Sequence, residues 1–167
     1  MGLKVPIDLC YDPMNILFVC LGNICRSPAA EGVFNKYLKE IGLEGKHRSE
    51  SAGTSAYHIG DPPDSRMTST ARKREIPFYS TARQFTSADF RNFDLILVMD
   101  GHNYDEVLSM DPGPEGLKKL KYFREFDPDA NGNMAVPDPY FGGPEGFEEV
   151  LDILIRTIKN LIDHLEN

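Results

Sequence analysis

The chain has 167 residues, with 18 lysine and arginine side chains against 26 aspartate and glutamate side chains and a formal net charge of −8. This length fits one domain that buries a core of its own. The acidic balance disfavours nucleic acid and anionic membranes as partners, because any phosphate would have to be held by local groups against the net field.

Cysteine usage indicates a reducing compartment, and hydropathy gives no sign of a membrane span or a signal peptide. The three cysteines, Cys10, Cys20 and Cys25, do not form the even framework of a secreted disulfide-rich domain. No apolar run reaches the length of a membrane span, and the start of the chain lacks the charged and then apolar layout of a signal peptide. The four histidines show no metal-ligand spacing. We therefore expect a cytoplasmic protein, a monomer or one with weak self-association, that contains no metal.

The first half of the chain predicts a strand followed by a helix. Residues 1–13 contain two prolines and predict an N-terminal extension, which leaves one domain over residues 14–167. Residues 16–19 are a short apolar run that ends in a turn, which is typical of a strand buried on both faces. The next apolar residues recur at helical spacing and stop at Gly42. The elements expected after that are a weak strand over 47–51 and a helix over 64–74 capped by Asp64.

The second half continues the alternation. The predicted elements are a capping box at 86–89 before a short helix, a strand over 94–99, a helix over 102–110, a Pro and Gly break over 111–116, and a strand over 117–123. Residues 127–146 predict a loop, and an apolar stripe from Phe147 to Leu165 predicts a long amphipathic helix. Strands that alternate with helices predict a single-domain α/β fold with a four-stranded parallel sheet and helices on both faces.

The segment Cys-Leu-Gly-Asn-Ile-Cys-Arg-Ser at residues 20–27 lies between the first strand and the first helix. Such a loop directs backbone N–H groups and the positive end of the helix dipole at one point, which favours an anion. Cys20 lies at that point, where a thiol ionises readily beside a cation. Arg26 supplies the cation and can hold two phosphate oxygens at once. The segment predicts a phosphate-binding loop, Leu21 to Arg26, at the C-terminal end of the first strand.

The remaining residues of the segment suit this geometry. Gly22 and Asn23 tolerate left-handed backbone, which curls the loop inward. Ser27 suits the N-cap of the helix and Pro28 its first position, with the Ser27 hydroxyl near the Cys20 sulfur. The alternative is a buried structural cysteine, which the strand, glycine and helix context disfavours.

Attack of a thiolate on a phosphate ester expels an oxygen that needs a proton, so a carboxylic acid is expected nearby. Asp138 lies between Pro137 and Pro139, which restrict where its side chain can point. Asp-Pro is also a common turn former. A further alternative is a calcium-binding loop, over which a plain acidic turn is favoured. The residues that match that loop pattern are Asp127, Asp129, Asn131, Gly132 and Asp138.

Residues 20–27, followed far downstream by Asp138-Pro139-Tyr140, resemble the low molecular weight protein tyrosine phosphatases. The resemblance extends from about residue 14 to the C-terminus. It implies hydrolysis of phosphotyrosine in protein substrates, and of aryl phosphate monoesters, through a cysteinyl-phosphate intermediate without metal or other cofactor. It also implies Cys20 as nucleophile, Arg26 as transition-state stabiliser and Asp138 as general acid. Ser27 would assist the thiolate, and Asn23 would pair with Ser51 to hold the loop.

The resemblance implies further features of the pocket. Tyr57, Tyr140 and Phe141 resemble the aromatic walls that select a phenyl ring in this family, although the sequence alone allows ordinary packing for each. Ile24 argues for tyrosine, because related arginine phosphatases carry Thr at that loop position. Cys25 is a small apolar filler or, as the resemblance favours, a redox partner that traps oxidised Cys20 as a disulfide.

Two other classes of protein share this type of loop. Arsenate reductases need further cysteines downstream to relay a disulfide, and this chain has none after Cys25. A silent phosphate-binding module would be expected to lack Cys20 or Asp138, and both are present. A basic surface, for which a solvated face is the default interpretation, comprises Arg66, Arg72, Lys73, Arg74 and Arg83.

Overall fold

The computed structural model describes residues 12–167, so Cys10 and most of the predicted extension lie outside the described residues. The strands are β1 (Asn15–Cys20), β2 (Arg48–Gly53), β3 (Leu95–Val98) and β4 (Leu120–Tyr122). They form one parallel sheet in the order β2-β1-β3-β4, with Phe18 opposite Ser51 on one side and Leu97 on the other. The predicted four-stranded parallel sheet is confirmed.

The described part of the chain, residues 12–167, also forms six α-helices. They are α1 (Arg26–Glu40), α2 (Ser65–Arg72), α3 (Asp89–Asn92), α4 (Gly101–Leu108), α5 (Gly113–Lys119) and α6 (Pro144–Glu166), and a 3-10 turn spans Phe123–Phe126. Among residues 12–167, no helix combines the length and the apolar character needed to cross a membrane.

Strand β1, one of the two inner strands of the sheet, contributes side chains to two hydrophobic cores. Ile16 and Phe18 on β1 pack into the core formed with α1, α2 and α6. Leu17 and Val19, the alternate residues, pack into the second core with residues of α3 and α4. Side chains of a strand alternate between the two faces of the sheet, and all four are fully buried because both faces are covered. The continuous apolar run therefore corresponds to a strand covered by helices on both faces, as predicted.

One element differs in kind from the prediction. Residues 113–119 form the helix α5, where the sequence predicted a Pro and Gly break followed by a strand from residue 117. Proline is tolerated in the first turn of a helix, where the missing N–H has no intrahelical partner. Gly116 packs against Phe90, and an added Cβ would lie 3.2 Å from the ring. This glycine therefore serves close packing and does not break the chain.

Other differences concern the ends of elements. Helix α6 begins at Pro144, inside the stretch predicted as loop. The predicted capping box at 86–89 forms only in part: the Thr86 N–H donates to the Asp89 carboxylate at 2.8 Å, and α3 begins at Asp89 itself. The Asp89 carboxylate also accepts hydrogen bonds from Nη1 and Nη2 of Arg83, each at 3.1 Å, so it holds the preceding loop as well. The predicted Asp64 cap of α2 is confirmed, with bonds from the Arg66 and Met67 N–H groups.

Candidate active site

The candidate site lies at the C-terminal edge of the sheet. Cys20 is the last residue of β1, and the loop that follows it leads directly into α1. Strand β1 lies between β2 and β3: the chain passes from β1 to β2 on one side and then crosses to β3 on the other. Ligands of open α/β sheets bind where the strand order reverses in this way. Asp100 follows β3 at the same edge, so the sheet brings two distant segments together.

The sulfur of Cys20 is held by two hydrogen-bonding groups. The Asn23 N–H donates to it at 3.3 Å, and the Ser27 hydroxyl lies 3.0 Å from it. Asn23 adopts a φ of 56°, the left-handed conformation that turns its amide inward. Cys20 is only 3% exposed, yet it lines the same cavity as Arg26. This polar setting suits a nucleophile better than a structural thiol.

Ser27 differs in position from the prediction. Helix α1 begins at Arg26, so Ser27 lies inside its first turn, and its side chain does not cap the helix. The Ser27 hydroxyl instead accepts from the Asn23 side-chain amide at 2.8 Å. Its own proton is then available to the Cys20 sulfur or to the Ala52 carbonyl at 3.4 Å. Against a thiolate, the hydroxyl donates to sulfur, because a charged acceptor forms the stronger bond.

The expected Asn23–Ser51 pair is wrong. The Asn23 amide is already occupied, since it donates to Ser27 and accepts the Arg83 backbone N–H at 3.0 Å. Ser51 donates to the buried Glu31 carboxylate at 2.8 Å. The backbone of Arg83 therefore takes the position that the resemblance assigned to Ser51.

Gly22 also serves a different purpose from the predicted one. It lacks the left-handed backbone that its neighbour Asn23 adopts. A Cβ at Gly22 would lie 3.0 Å from Cδ2 of His58, so glycine permits the imidazole to pack on the loop. At Gly53, on the next strand, a Cβ would lie 2.7 Å from the Leu21 carbonyl oxygen. The absence of a side chain at Gly22 and at Gly53 therefore allows neighbouring groups to pack directly against the backbone at both positions.

Arg26 is a buried cation with acidic partners. Its Nη1 donates to Asp100 Oδ2 at 2.6 Å and to the Val136 carbonyl at 3.0 Å. Burial opposes the charge, but the nearby Cys20 and the bond to Asp100 raise the pKa of Arg26, so it remains cationic. Its Nη2 lies 3.5 Å from Asp138 Oδ2.

Asp138 lines the same pocket as the phosphate-binding loop. Its side chain is 37% exposed, and its Oδ1 accepts the Tyr140 N–H at 3.1 Å. The calcium-loop alternative for this region is not supported, because the Asp127 carboxylate is engaged by the guanidinium groups of Arg124 and Arg156. The structure therefore brings together Cys20, Arg26 and Asp138, which are far apart in the sequence.

These residues line one cavity of about 460 Å³. The predicted aromatic side chains Tyr57, Tyr140 and Phe141 stand at its mouth, where Tyr57 is 86% exposed and Phe141 93% exposed. Such exposure of large apolar rings around a polar floor is typical of a binding site. The remaining lining residues are Leu21, Gly22, Ile24, Cys25, Ser55 and His58.

Comparisons with known proteins agree with this geometry. A sequence model of the family "Low molecular weight phosphotyrosine protein phosphatase" matches residues 15–167. The chain belongs to the low molecular weight phosphotyrosine protein phosphatase family. It is 49% identical over 152 residues to a putative low molecular weight protein-tyrosine-phosphatase of Synechocystis, covering 91% of this chain and 96% of the relative. It is 38% identical over 150 residues to the human low molecular weight phosphotyrosine protein phosphatase, covering 89% and 94%.

A solved structure gives the same result for the fold. The crystal structure of a protein tyrosine phosphatase from Entamoeba histolytica with Hepes in its active site superposes with a TM-score of 0.87. Its sequence is 44% identical, and the match covers 92% of this phosphatase and 97% of that chain.

Sequence reasoning missed three residues of the phosphatase site. Asp100 could have been found from its place directly after a strand, at the edge of the sheet where Cys20 lies. His58 gave no signal, although it lines the pocket and its Nδ1 lies 3.0 Å from Asp61. Glu31 is buried and accepts from Ser51 and from Ser80 at 3.1 Å. Burial raises the pKa of Glu31, and the two serine hydrogen bonds only partly oppose that shift.

Cys25 is buried beside the nucleophile, and its thiol is free. Burial, followed by the nearby Asp64 carboxylate, raises the pKa of the Cys25 thiol well above its ordinary value. Cys25 therefore stays protonated at neutral pH and does not compete with Cys20 as a nucleophile.

Proposed function

We propose that this phosphatase hydrolyses phosphotyrosine in proteins, and aryl phosphate monoesters, through a cysteinyl-phosphate intermediate. The observation that carries the proposal is the convergence of the Cys20 sulfur, the Arg26 guanidinium and the Asp138 carboxyl on one cavity. These three groups supply a nucleophile, an electrostatic stabiliser and a proton donor.

In the first step the Cys20 thiolate attacks phosphorus. An S–P bond forms while the P–O bond to the tyrosine ring breaks, and Asp138 transfers its proton to the departing phenolate oxygen. Arg26 and the loop amides stabilise the charge on the equatorial oxygens of the transferred group. The Ser27 hydroxyl, 3.0 Å from the sulfur, stabilises the thiolate before attack.

In the second step water replaces the cysteine. The Asp138 carboxylate, now without its proton, takes a proton from water as the water oxygen attacks phosphorus. The S–P bond breaks, inorganic phosphate leaves and Cys20 is again a thiolate. No step requires a metal or another cofactor, because the charge is handled by groups of the chain.

The shape of the pocket supports phosphotyrosine as substrate. Cys20 lies at the floor and the exposed rings of Tyr57 and Phe141 stand at the mouth, so a flat phenyl ring fits between aromatic walls. A phosphoserine side chain is shorter and would leave its phosphorus out of reach of the sulfur. Ile24 lines the same pocket as an apolar residue, which supports an aryl group over a guanidino group.

The test is release of nitrophenol from p-nitrophenyl phosphate in the presence of a chelator, comparing the wild type with Cys20→Ser. We expect a rapid burst and turnover by the wild type and a loss of roughly 1000-fold or more in the variant. Equal rates would contradict the proposal. Asp138→Ala should reduce kcat/KM strongly for phenyl phosphate and much less for p-nitrophenyl phosphate, because the better leaving group needs less help from an acid.

We also propose Cys25 as the redox partner of Cys20, in a cytoplasmic enzyme. Peroxide would oxidise the Cys20 thiolate to a sulfenic acid, and the Cys25 thiol would then form the disulfide and release water. The burial of both side chains in one loop, with both thiols free, supports this proposal.

A further inference from the structure

Arg66 has a more specific environment than the solvated basic face expected from the sequence. Its guanidinium carbon lies 5.2 Å from the centroid of the Tyr140 ring and 4.9 Å from that of Phe147. Both distances are within the range of a cation–π contact. Phe147 is 2% exposed and belongs to the core side of α6, so Arg66 bridges a fixed ring and a ring of the loop that carries Asp138.

The other side of the Arg66 guanidinium is fixed by Asp64. Nε donates to Asp64 Oδ1 at 3.2 Å, and Nη2 donates to Asp64 Oδ2 at 2.9 Å. The Asp64 side chain is only 9% exposed and caps α2 through the Arg66 and Met67 N–H groups. A planar guanidinium held by two parallel bonds keeps its orientation, which a lysine ammonium would not do.

The same aspartate is joined to the phosphate-binding loop. The Asp64 backbone N–H donates to the Ile24 carbonyl at 2.8 Å. At the opposite end, the Tyr140 N–H donates to Asp138 Oδ1 at 3.1 Å. A continuous series of contacts therefore leads from the phosphate-binding loop, through Asp64, Arg66 and Tyr140, to the carboxyl of Asp138.

A second anchor lies just before Asp138. The Val136 N–H donates to the Met99 carbonyl at 2.7 Å, and the Val136 carbonyl accepts from Arg26. These bonds fix the start of the loop against β3, and the Arg66 contact fixes its continuation at Tyr140. The carboxyl of Asp138 is thus held from both sides, although it is itself more than one-third exposed.

We propose that Arg66 is a positioning residue that holds the Tyr140 ring and, through it, sets the distance between Asp138 and the phosphate-binding loop. The proposal rests on the function of Asp138 as general acid proposed above. Arg66 does not line the pocket, so its effect on the reaction is indirect. Misplacement of a proton donor harms the departure of a poor leaving group more than that of a good one, because only the poor one depends on the proton.

The test is Arg66→Met, which keeps most of the side-chain length and removes the charge and the hydrogen bonds. We measure kcat/KM for phenyl phosphate and for p-nitrophenyl phosphate, since this parameter reports on the step in which the leaving group departs. The expected result is a loss of roughly 10-fold or more for phenyl phosphate and of no more than about 3-fold for p-nitrophenyl phosphate. The matched control is Arg72→Met at the exposed end of the same helix, which should leave the ratio of the two substrates unchanged.

A purely structural role for Arg66 predicts a different result. It would lower the active fraction, measured by the nitrophenol burst, and reduce both substrates by the same factor. That outcome overturns the proposal. The double variant Arg66→Met/Asp138→Ala adds a second criterion: the ratio of the two substrates should equal that of Asp138→Ala alone, because a positioning residue has no effect once its target is absent.

The variants Asp138→Ala and Arg66→Met test the two proposals separately. If Asp138→Ala itself leaves the ratio of the two substrates unchanged, the proposed function of Asp138 is wrong. If Asp138→Ala changes the ratio and Arg66→Met does not, the function of Asp138 stands and the positioning role of Arg66 is wrong.

Discussion

The Arg26 guanidinium donates to the Asp100 carboxylate at 2.6 Å, which joins the loop after β1 to the residue that follows β3. Asp100 uses its two oxygens differently: Oδ2 accepts from Arg26, and Oδ1 caps α4 by accepting the Asn103 N–H at 2.8 Å. The Arg26 guanidinium is therefore oriented by a carboxylate that is itself fixed to a helix terminus. This arrangement orients Arg26 before substrate arrives.

We predict that Asp100→Asn reduces turnover while preserving the fold. Asparagine can still cap α4 with its one carbonyl oxygen, but its NH2 group then faces Arg26 Nη1 and cannot accept, so that bond is lost. A hydrogen bond to a charged group contributes about 1.5 to 3 kcal/mol, or roughly 10- to 100-fold in rate. The loss should appear in kcat. Inhibition by inorganic phosphate should weaken less, because the substitution also removes a negative charge beside the anion. Asp105→Asn, exposed on the same helix, is the control, and an unchanged kcat in Asp100→Asn would contradict the prediction.

The phosphate-binding loop could be predicted from the sequence because it depends on local spacing. A short apolar run, a Gly-Asn turn and a helix start place Cys20 and Arg26 within one loop. Asp138 lies 118 residues beyond Cys20, and its role came from a family resemblance and not from spacing. Around Gly116 the local composition predicts a break, whereas the structure forms α5 there and packs Gly116 against Phe90.

The contacts that hold the loop could not be predicted for a different reason. Asn23 is held by the backbone N–H of Arg83, which any residue at that position except proline would supply, so the side chains carry no signal of it. The Asp100 contact requires knowing that β3 lies beside β1, which is a property of the strand order. Tertiary arrangement therefore decides which polar groups meet, and the sequence pattern shows only that they exist.

We predict that Gly53→Ala inactivates the enzyme. The added Cβ would lie 2.7 Å from the Leu21 carbonyl oxygen and 3.1 Å from the Asn23 nitrogen, and both are backbone atoms of the phosphate-binding loop. The loop must shift, and a displacement of about 1 Å at a reacting group costs roughly 100-fold in rate. Gly101→Ala is the control, because its Cβ would meet only the Tyr122 hydroxyl at 3.8 Å. Activity of Gly53→Ala within twofold of the wild type would show that the loop tolerates the contact.

We predict that Cys25→Ser makes oxidative inactivation harder to reverse. In the wild type, mild peroxide should give a disulfide that dithiothreitol reduces, so activity returns. Without the Cys25 thiol, the Cys20 sulfenic acid proceeds to the irreversible sulfinic acid. The measurement is the fraction of activity recovered after a timed exposure, with mass spectrometry of the loop peptide. Equal recovery by the two proteins would remove Cys25 from the redox chemistry.

The buried Glu31 carboxyl leads to a prediction on the pH dependence of stability. Its folded-state pKa lies above the ordinary value of 4.5, chiefly because of burial. Between pH 4.5 and that raised pKa, the folded protein therefore binds the Glu31 proton more tightly than the unfolded chain does. The free energy of unfolding of the wild type therefore loses a contribution as pH rises above 4.5. Glu31→Gln does not titrate and can still accept hydrogen bonds from Ser51 and Ser80. Its stability relative to the wild type should be lowest near pH 4.5 and should increase as pH rises from there.

Urea denaturation from about pH 4.5 to about pH 8 measures this difference directly. The control is Glu40→Gln on the same helix, where the carboxylate is exposed and its ion pair with Lys36 contributes little. Its stability relative to the wild type should stay nearly constant over the same range. A difference between Glu31→Gln and the wild type that is flat, or that decreases as pH rises, would mean that the folded-state pKa of Glu31 does not lie above its ordinary value, with the Ser51 and Ser80 hydroxyl groups compensating for its burial.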